Sequence, residues 1–133
     1  GTMYGSVDAV NTSLGILRAA MLSVGAAVSE GIYLKQQFSA SGEEVAVLIQ
    51  KAEEGEAGEE DGEAVYASWE RRRDELHIWI PHNDISRIDD YLSESIRCLR
   101  EHERELALSK LEIVARLCET LPSTYLVSLP NLF

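Results

Sequence analysis

The side chains from which this 133-residue chain would build a reactive site are three histidines, two cysteines and a run of three arginines. His82 stands just before Asp84 and Asp89, beside a proline at the start of a helix. An imidazole among carboxylates titrates near neutrality or holds a divalent ion. Trp69 and Arg72, the latter inside the cluster Arg71 to Arg73, would offer an aromatic shelf and a planar fork for an anion or phosphate. His82, Asp84, Trp69 and Arg72 are therefore the candidate binding residues. Each also has a plainer account. A histidine at a helix start, a tryptophan in a core and arginines paired with neighbouring acids are commoner than a site.

Most familiar chemistries lack their residues. Di-iron bundles need Glu-x-x-His on facing helices, but only Asp74 stands three residues before a histidine, His77. His-Glu-x-x-His, Cys-x-x-Cys and glycine-rich phosphate loops are absent from the sequence. Residues 53–63 are rich in acid and glycine but lack the alternating oxygen ligands and closing Glu of a calcium loop, so they read as a solvated linker. No catalytic residue, metal ligand set or cofactor is expected, and the chain reads as a non-enzyme.

The elements that must position these residues centre on a helical hairpin, Asn83 to Leu121. Pro81 ends the incoming helix, and Asn83 or Asp84 is expected as N-cap. Ile85, Ile88, Leu92, Ile96 and Leu99 recur at spacings of three and four, the stripe of an amphipathic helix. A second stripe runs Ala107, Leu111, Val114, Cys118 and Leu121, so a tight turn belongs within Glu101 to Glu105, and Leu121 with Pro122 ends the second limb. In that hairpin Cys118 lies roughly 16 Å from Cys98. A disulfide needs Cα atoms within about 7 Å, so two small free thiols are expected.

Before the hairpin, a helix from about Glu63 to Ile80 carries Val65, Trp69, Leu76 and Trp79 or Ile80 on one side, with both tryptophans as core anchors. Further back, Leu34, Phe38, Val45, Leu48 and Ala52 continue a helix. Ser39, Ser41 and Gly42 interrupt it, so a kink or restart is expected there, with Ser41 and Glu44 as a capping box. Beyond the hairpin, Leu126, Leu129, Leu132 and Phe133 are too apolar for a free tail and are expected to pack on the bundle or on a partner.

Charge separates the two ends of the chain. The net charge is −11, yet residues 1–41 carry Asp8, Arg18, Glu30 and Lys35, which cancel. An acidic surface argues against nucleic acid, whose phosphates demand Lys and Arg. In the neutral part, Val10, Leu14, Leu17, Met21, Val24, Val28 and Ile32 repeat at four and three. Two readings stand: a helix packing one face on the bundle, or a membrane anchor over residues 10–28. Against insertion, Arg18 costs roughly 2.5 kcal/mol or more at mid-bilayer while each Leu, Ile or Val returns only about 0.3–0.6. The basic start of a cleavable signal is missing.

Trp69, the crossing Ile78-Trp79-Ile80-Pro81-His82-Asn83-Asp84-Ile85, the run Ile88-Asp89-Asp90-Tyr91-Leu92, then Glu105 to Leu108, Leu111, Leu121-Pro122 and the closing Leu129-Pro130-Asn131-Leu132-Phe133 carry a resemblance. Over residues 30 to 133 the chain resembles an uncharacterised family of small bacterial helical proteins, found mainly in Gram-positive, often spore-forming bacteria. The resemblance implies no known activity. It implies an N-terminal hydrophobic anchor followed by an extracytoplasmic helical domain.

The expectation is an all-α antiparallel bundle of about four helices, the first long. Residues 1–41 would form the N-terminal helix and 42–133 the bundle domain. The functional expectation is an interaction or scaffold module at the cell membrane, facing outward, with a protein partner or self-association. The alternatives are a ligand- or metal-binding sensor at the His82–Asp84 corner and a cytoplasmic soluble location.

Overall fold

A computed structural model describes residues 2–126. Among them are four helices, α1 (Thr2–Glu53), α2 (Glu59–Leu76), α3 (His82–Arg100) and α4 (Arg104–Leu126), and no strand. The expected all-α bundle forms. It is antiparallel: Lys51 of α1 pairs with Asp61 at the start of α2, and Ser41 lies earlier in α1 against Arg72 near the end of α2. Glu94 and Lys110 pair α3 with α4 in the same sense, and so do Asp84 and Tyr125. The chain divides into two units between Tyr33 and Leu34, so the bundle begins earlier than residue 42.

The unit from Leu34 onward has its own core. In α1, Leu34, Phe38, Ser41, Val45, Leu48 and Ala52 are all buried and alternate at four and three. The helix does not restart at Ser41. Its hydroxyl sits in the seam as an acceptor from Arg72 Nη1 at 3.2 Å, and Glu44 binds the same guanidinium instead of capping. The stripe Ile85, Ile88, Leu92, Ile96 and Leu99 faces Ala107, Leu111, Val114, Cys118 and Leu121, and every member is buried. Burying such aliphatic side chains contributes about 1.5–3 kcal/mol each.

Two helix ends close with the same device. At α1, the Glu56 N–H donates to the Lys51 carbonyl at 2.9 Å and the Gly55 N–H to Ala52 at 3.1 Å, with Gly55 at φ 75°. At α3, the Glu103 N–H donates to Cys98 at 2.8 Å and the His102 N–H to Leu99 at 3.3 Å. This is the Schellman arrangement, which needs a left-handed residue just past the end. In α3 that residue is His102 at φ 60°, so the turn falls within Glu101 to Glu105 without a glycine.

Four boundaries differ from expectation. Acidic α2 starts at Glu59, where the Asp61 carboxylate accepts from the Gly58 N–H at 2.9 Å, so the linker is shorter than 53–63. That bond chiefly holds the Asp61 carboxyl below its usual range. α2 ends at Leu76, because a turn forms before Pro81. Ile80 stays buried, but Trp79 is 40% exposed and is no core anchor. Pro81 itself takes the N-cap position of α3, its carbonyl accepting from Asp84 and Ile85, which leaves Asn83 and Asp84 inside the first turn. Finally, α4 continues through Pro122 to Leu126. The ring removes one backbone donor, and the turn beyond it is tied down by the Tyr125 hydroxyl, which donates to the Asp84 carboxylate. The packing expected of Leu129, Leu132 and Phe133 lies outside the described residues.

The described residues before Leu34 are helical, and most of their apolar stripe is bare: Val10, Leu14, Leu17, Met21, Val28 and Ile32 are exposed and Val24 is half-buried. Among the described residues, α1 is the one helix long and apolar enough to cross a membrane.

Candidate functional site

The four candidate residues do not converge; each is engaged separately within the bundle. Trp69, on the inner face of α2, is 1% exposed and packs its ring 6.2 Å from that of Phe38. Its indole N–H donates to Asp89 Oδ1 at 2.7 Å, and Asp89 Oδ2 accepts from Arg73 Nη1 at 3.1 Å. One carboxylate thereby satisfies the buried indole and ties α2 to α3. Arg73 is held protonated beyond the ordinary arginine range: burial works against its charge, and the Asp89 carboxylate outweighs it.

Arg72 joins α2 to α1. Its two terminal nitrogens reach the two oxygens of Glu44 at 3.1 and 3.0 Å, and Nη1 also donates to Ser68 at 3.1 Å. Burial pushes the Glu44 carboxyl up, but hydrogen bonds from Arg72 and Ser68 prevail and hold it below its usual value. Such a bidentate pair fixes geometry as well as charge. With its fork filled from inside the chain, Arg72 serves as a brace between helices. The arginine cluster thus splits by direction, with Arg72 toward α1 and Arg73 toward α3.

His82 and Asp84 part company at the start of α3. The His82 ring stacks on His77 with centroids 5.6 Å apart, and its Nε2 lies 3.2 Å from Ser86 Oγ. Asp84 turns the other way, to Tyr125. Asp89 is already shared by Trp69 and Arg73, so the three residues spaced along the sequence form no common corner. Among the described residues no three His, Cys, Asp or Glu side chains come together as a metal set.

Nucleophilic chemistry fares no better. Cys118 is buried, and burial pushes its thiol up to about 12; burial likewise raises Cys98. A thiol so held is not the thiolate that attacks or ligates. An open groove of about 620 Å³ runs along α1 and α2, lined by Ala40, Glu43, Val47, Val65 and Arg71 among others. Its charged lining is Glu43, Glu44 and Arg71, and Glu44 is already engaged by Arg72.

The partners that matter were not visible as motifs. Glu44 lies 28 residues from Arg72, and Tyr125 lies 41 from Asp84. The one signal available for Trp79 is Pro81 two residues later: a proline forces the helix to end early, so the side chains before it leave the helical stripe. The chain matches no family model, and no curated protein or solved structure is similar to it.

Proposed function

We propose that this chain is a non-enzymatic helical module held at a bacterial membrane by residues 10–28, with its bundle on the outer face presented to a protein partner or a second copy. The observation that carries this is the bare apolar surface of α1. From Ala9 to Ser29 the sequence has one charge, Arg18, and large apolar residues along that stretch are exposed, from Val28 at 44% to Leu22 at 75%, with Val24 half-buried. A surface of this size on a water-soluble chain ordinarily marks a contact with protein or lipid.

Length favours lipid. The stretch from 9 to 29 rises roughly 31 Å as a helix, close to the ~30 Å of a hydrocarbon core. Arg18, near its middle, costs about 2.5–3.5 kcal/mol, and the large aliphatic residues around it return a comparable sum. Insertion is therefore finely balanced, and a mate for Arg18 in a second copy would favour it. Small residues throughout the stretch permit close helix approach in lipid. The outer face follows from the resemblance of residues 30 to 133.

Fractionation tests the proposal. The full chain is expected in the membrane fraction after an alkaline carbonate wash, and a chain lacking residues 1–30 in the supernatant with its helical circular dichroism retained. Arg18→Leu is expected to raise the membrane fraction, and protease added to intact cells is expected to digest the bundle. A truncated chain that sediments like the full one sinks the proposal.

A further inference from the structure

We infer that the turn between α2 and α3 rests in the interfacial layer of the same bilayer, with Ile78 and Trp79 as its contacts; this builds on the tethered reading above. The turn exposes 75% of Ile78 and 40% of Trp79. That exposure is built in. The Trp79 and Ile80 N–H groups both donate to the Leu76 carbonyl, Ile80 is buried, and His77 and His82, which bracket the turn in sequence, stack their rings on one another. The two apolar side chains are thus held outward.

The turn lies at the tethered end of the bundle. Lys51 meets Asp61, Glu44 meets Ser68 and Ser41 meets Arg72, so each step back along α1 is matched by a step forward along α2. Carried on, this register brings Ile78 and Trp79 to the level of Leu34. Only five residues lead from Ser29 to Leu34, and even fully extended they reach at most roughly 18 Å. Whatever direction the chain takes there, the Leu34 end of the bundle stays near the membrane surface once residues 10–28 are inserted.

Chemistry selects lipid as the occupant. Tryptophan concentrates at the headgroup level, where its apolar body and polar N–H are both satisfied. Charge agrees with that orientation. Seven of the eleven residues from 53 to 63 are acidic, and they lie at the opposite end. There Arg100 pairs with Glu59, and Arg104 donates to the Glu53 carbonyl. Anionic headgroups repel such a surface, so the acidic end is turned away from the bilayer.

The test uses the full chain in vesicles of phosphatidylcholine and phosphatidylglycerol, with bromine on the phosphatidylcholine chains either just below the headgroup or at the chain ends. Tryptophan emission is expected to fall more with shallow than with deep bromine. The quenched part should vanish in Trp79→Phe, which keeps its helical circular dichroism and still floats with the vesicles. Emission indifferent to bromine in a chain that floats overturns the inference and leaves the tether standing. If neither bromine nor aqueous iodide reaches Trp79, residues 127–133 or a second copy cover it, and the inference falls. Quenching that persists in Trp79→Phe belongs to Trp69 and also overturns it. A chain that stays in the aqueous phase overturns both the inference and the tether.

Discussion

Two stretches of α1 carry the same alternation of three and four and meet opposite fates. Between Leu34 and Ala52 the stripe is sealed, with Phe38 at 0% and Leu48 at 2% exposure; between Val10 and Ile32 it is open, with Leu17 at 57% and Met21 at 67%. Period alone therefore specifies a helix and a face, and says nothing of what covers the face. The difference lies in the flanks. Around the sealed stripe stand Glu43, Glu44, Gln50 and Lys51, residues at ease in water, whereas around the open one stand Ala, Gly, Ser, Ile16 and Leu22. A helix with a charged back is suited to one covered side; a helix whose back from Ala9 to Ser29 holds one charge, Arg18, is poorly suited to water on any side.

The sharpest way to break this contrast is a pair of truncations. Phe38→Ala is expected to cost the bundle about 3–5 kcal/mol in denaturant unfolding followed by circular dichroism. In the same detergent solution, Leu17→Ala should change it by no more than about 0.5 kcal/mol. Equal losses would mean that the open stripe is folded against the core after all.

The sealed side is also intolerant of added atoms. A Cβ on Gly62 would stand 2.8 Å from Ile96 Cγ1 and 3.3 Å from Leu99 Cδ1, so Gly62→Ala should destabilise by about 1–3 kcal/mol. Combined with Ile96→Ala, which removes the obstructing branch, the loss should be smaller than the sum of the two single losses. Gly15 and Gly25, in the open stretch, have nothing within 4 Å of such an atom, and alanine there should leave unfolding of the bundle unchanged.

Two smaller effects probe how the bundle's ends are tied. Tyr125→Phe should cost about 1.5 kcal/mol, the range for a hydrogen bond to a charged group. The Tyr125 hydroxyl is pushed from 10.0 up to about 12, first by its bond to the Asp84 carboxylate and then by burial. A folded value above the unfolded one means that this stabilisation is complete below pH 10 and is lost as pH rises toward 12. Alkaline titration of stability should show that step in the parent chain and lack it in Tyr125→Phe. Smallest is His102→Gly, which relieves a left-handed backbone at some cost in chain entropy. It should stabilise by about 0.5–1 kcal/mol, read as a shift in denaturant midpoint.

How far the sequence was legible follows from the same distinction between period and partner. The stripes of α3 and α4 stood out because a large or small apolar residue recurs every third or fourth position from Ile85 to Leu99 and from Ala107 to Leu121; Ser95, fully buried beside Ile96, leaves that pattern intact and donates to the Leu92 carbonyl of its own helix. Ser41 looked like a break in α1 because a hydroxyl in a stripe is legible only through its mate, and that mate, Arg72, is 31 residues away. Pro122 looked like a stop because a proline's local cost is visible, whereas the Tyr125–Asp84 tie that holds the next turn is not. The site candidates were nameable one by one, as His82, Asp84, Trp69 and Arg72. Their separation was not, since direction around a helix and distance between helices depend on packing.

Buried Cys98 and Cys118 have a practical consequence. With both thiols shut away and Cys118 pushed up to about 12, a thiol-reactive dye can label them only when helices part. Cys118 borders α1 at Gly42, while Cys98 lies on α3, whose principal neighbours are α4 and α2. Labelling rates of the two single-cysteine chains are thus a built-in clock for two openings, the release of α1 and the splitting of the hairpin, timed on the protein's own thiols without an added probe site.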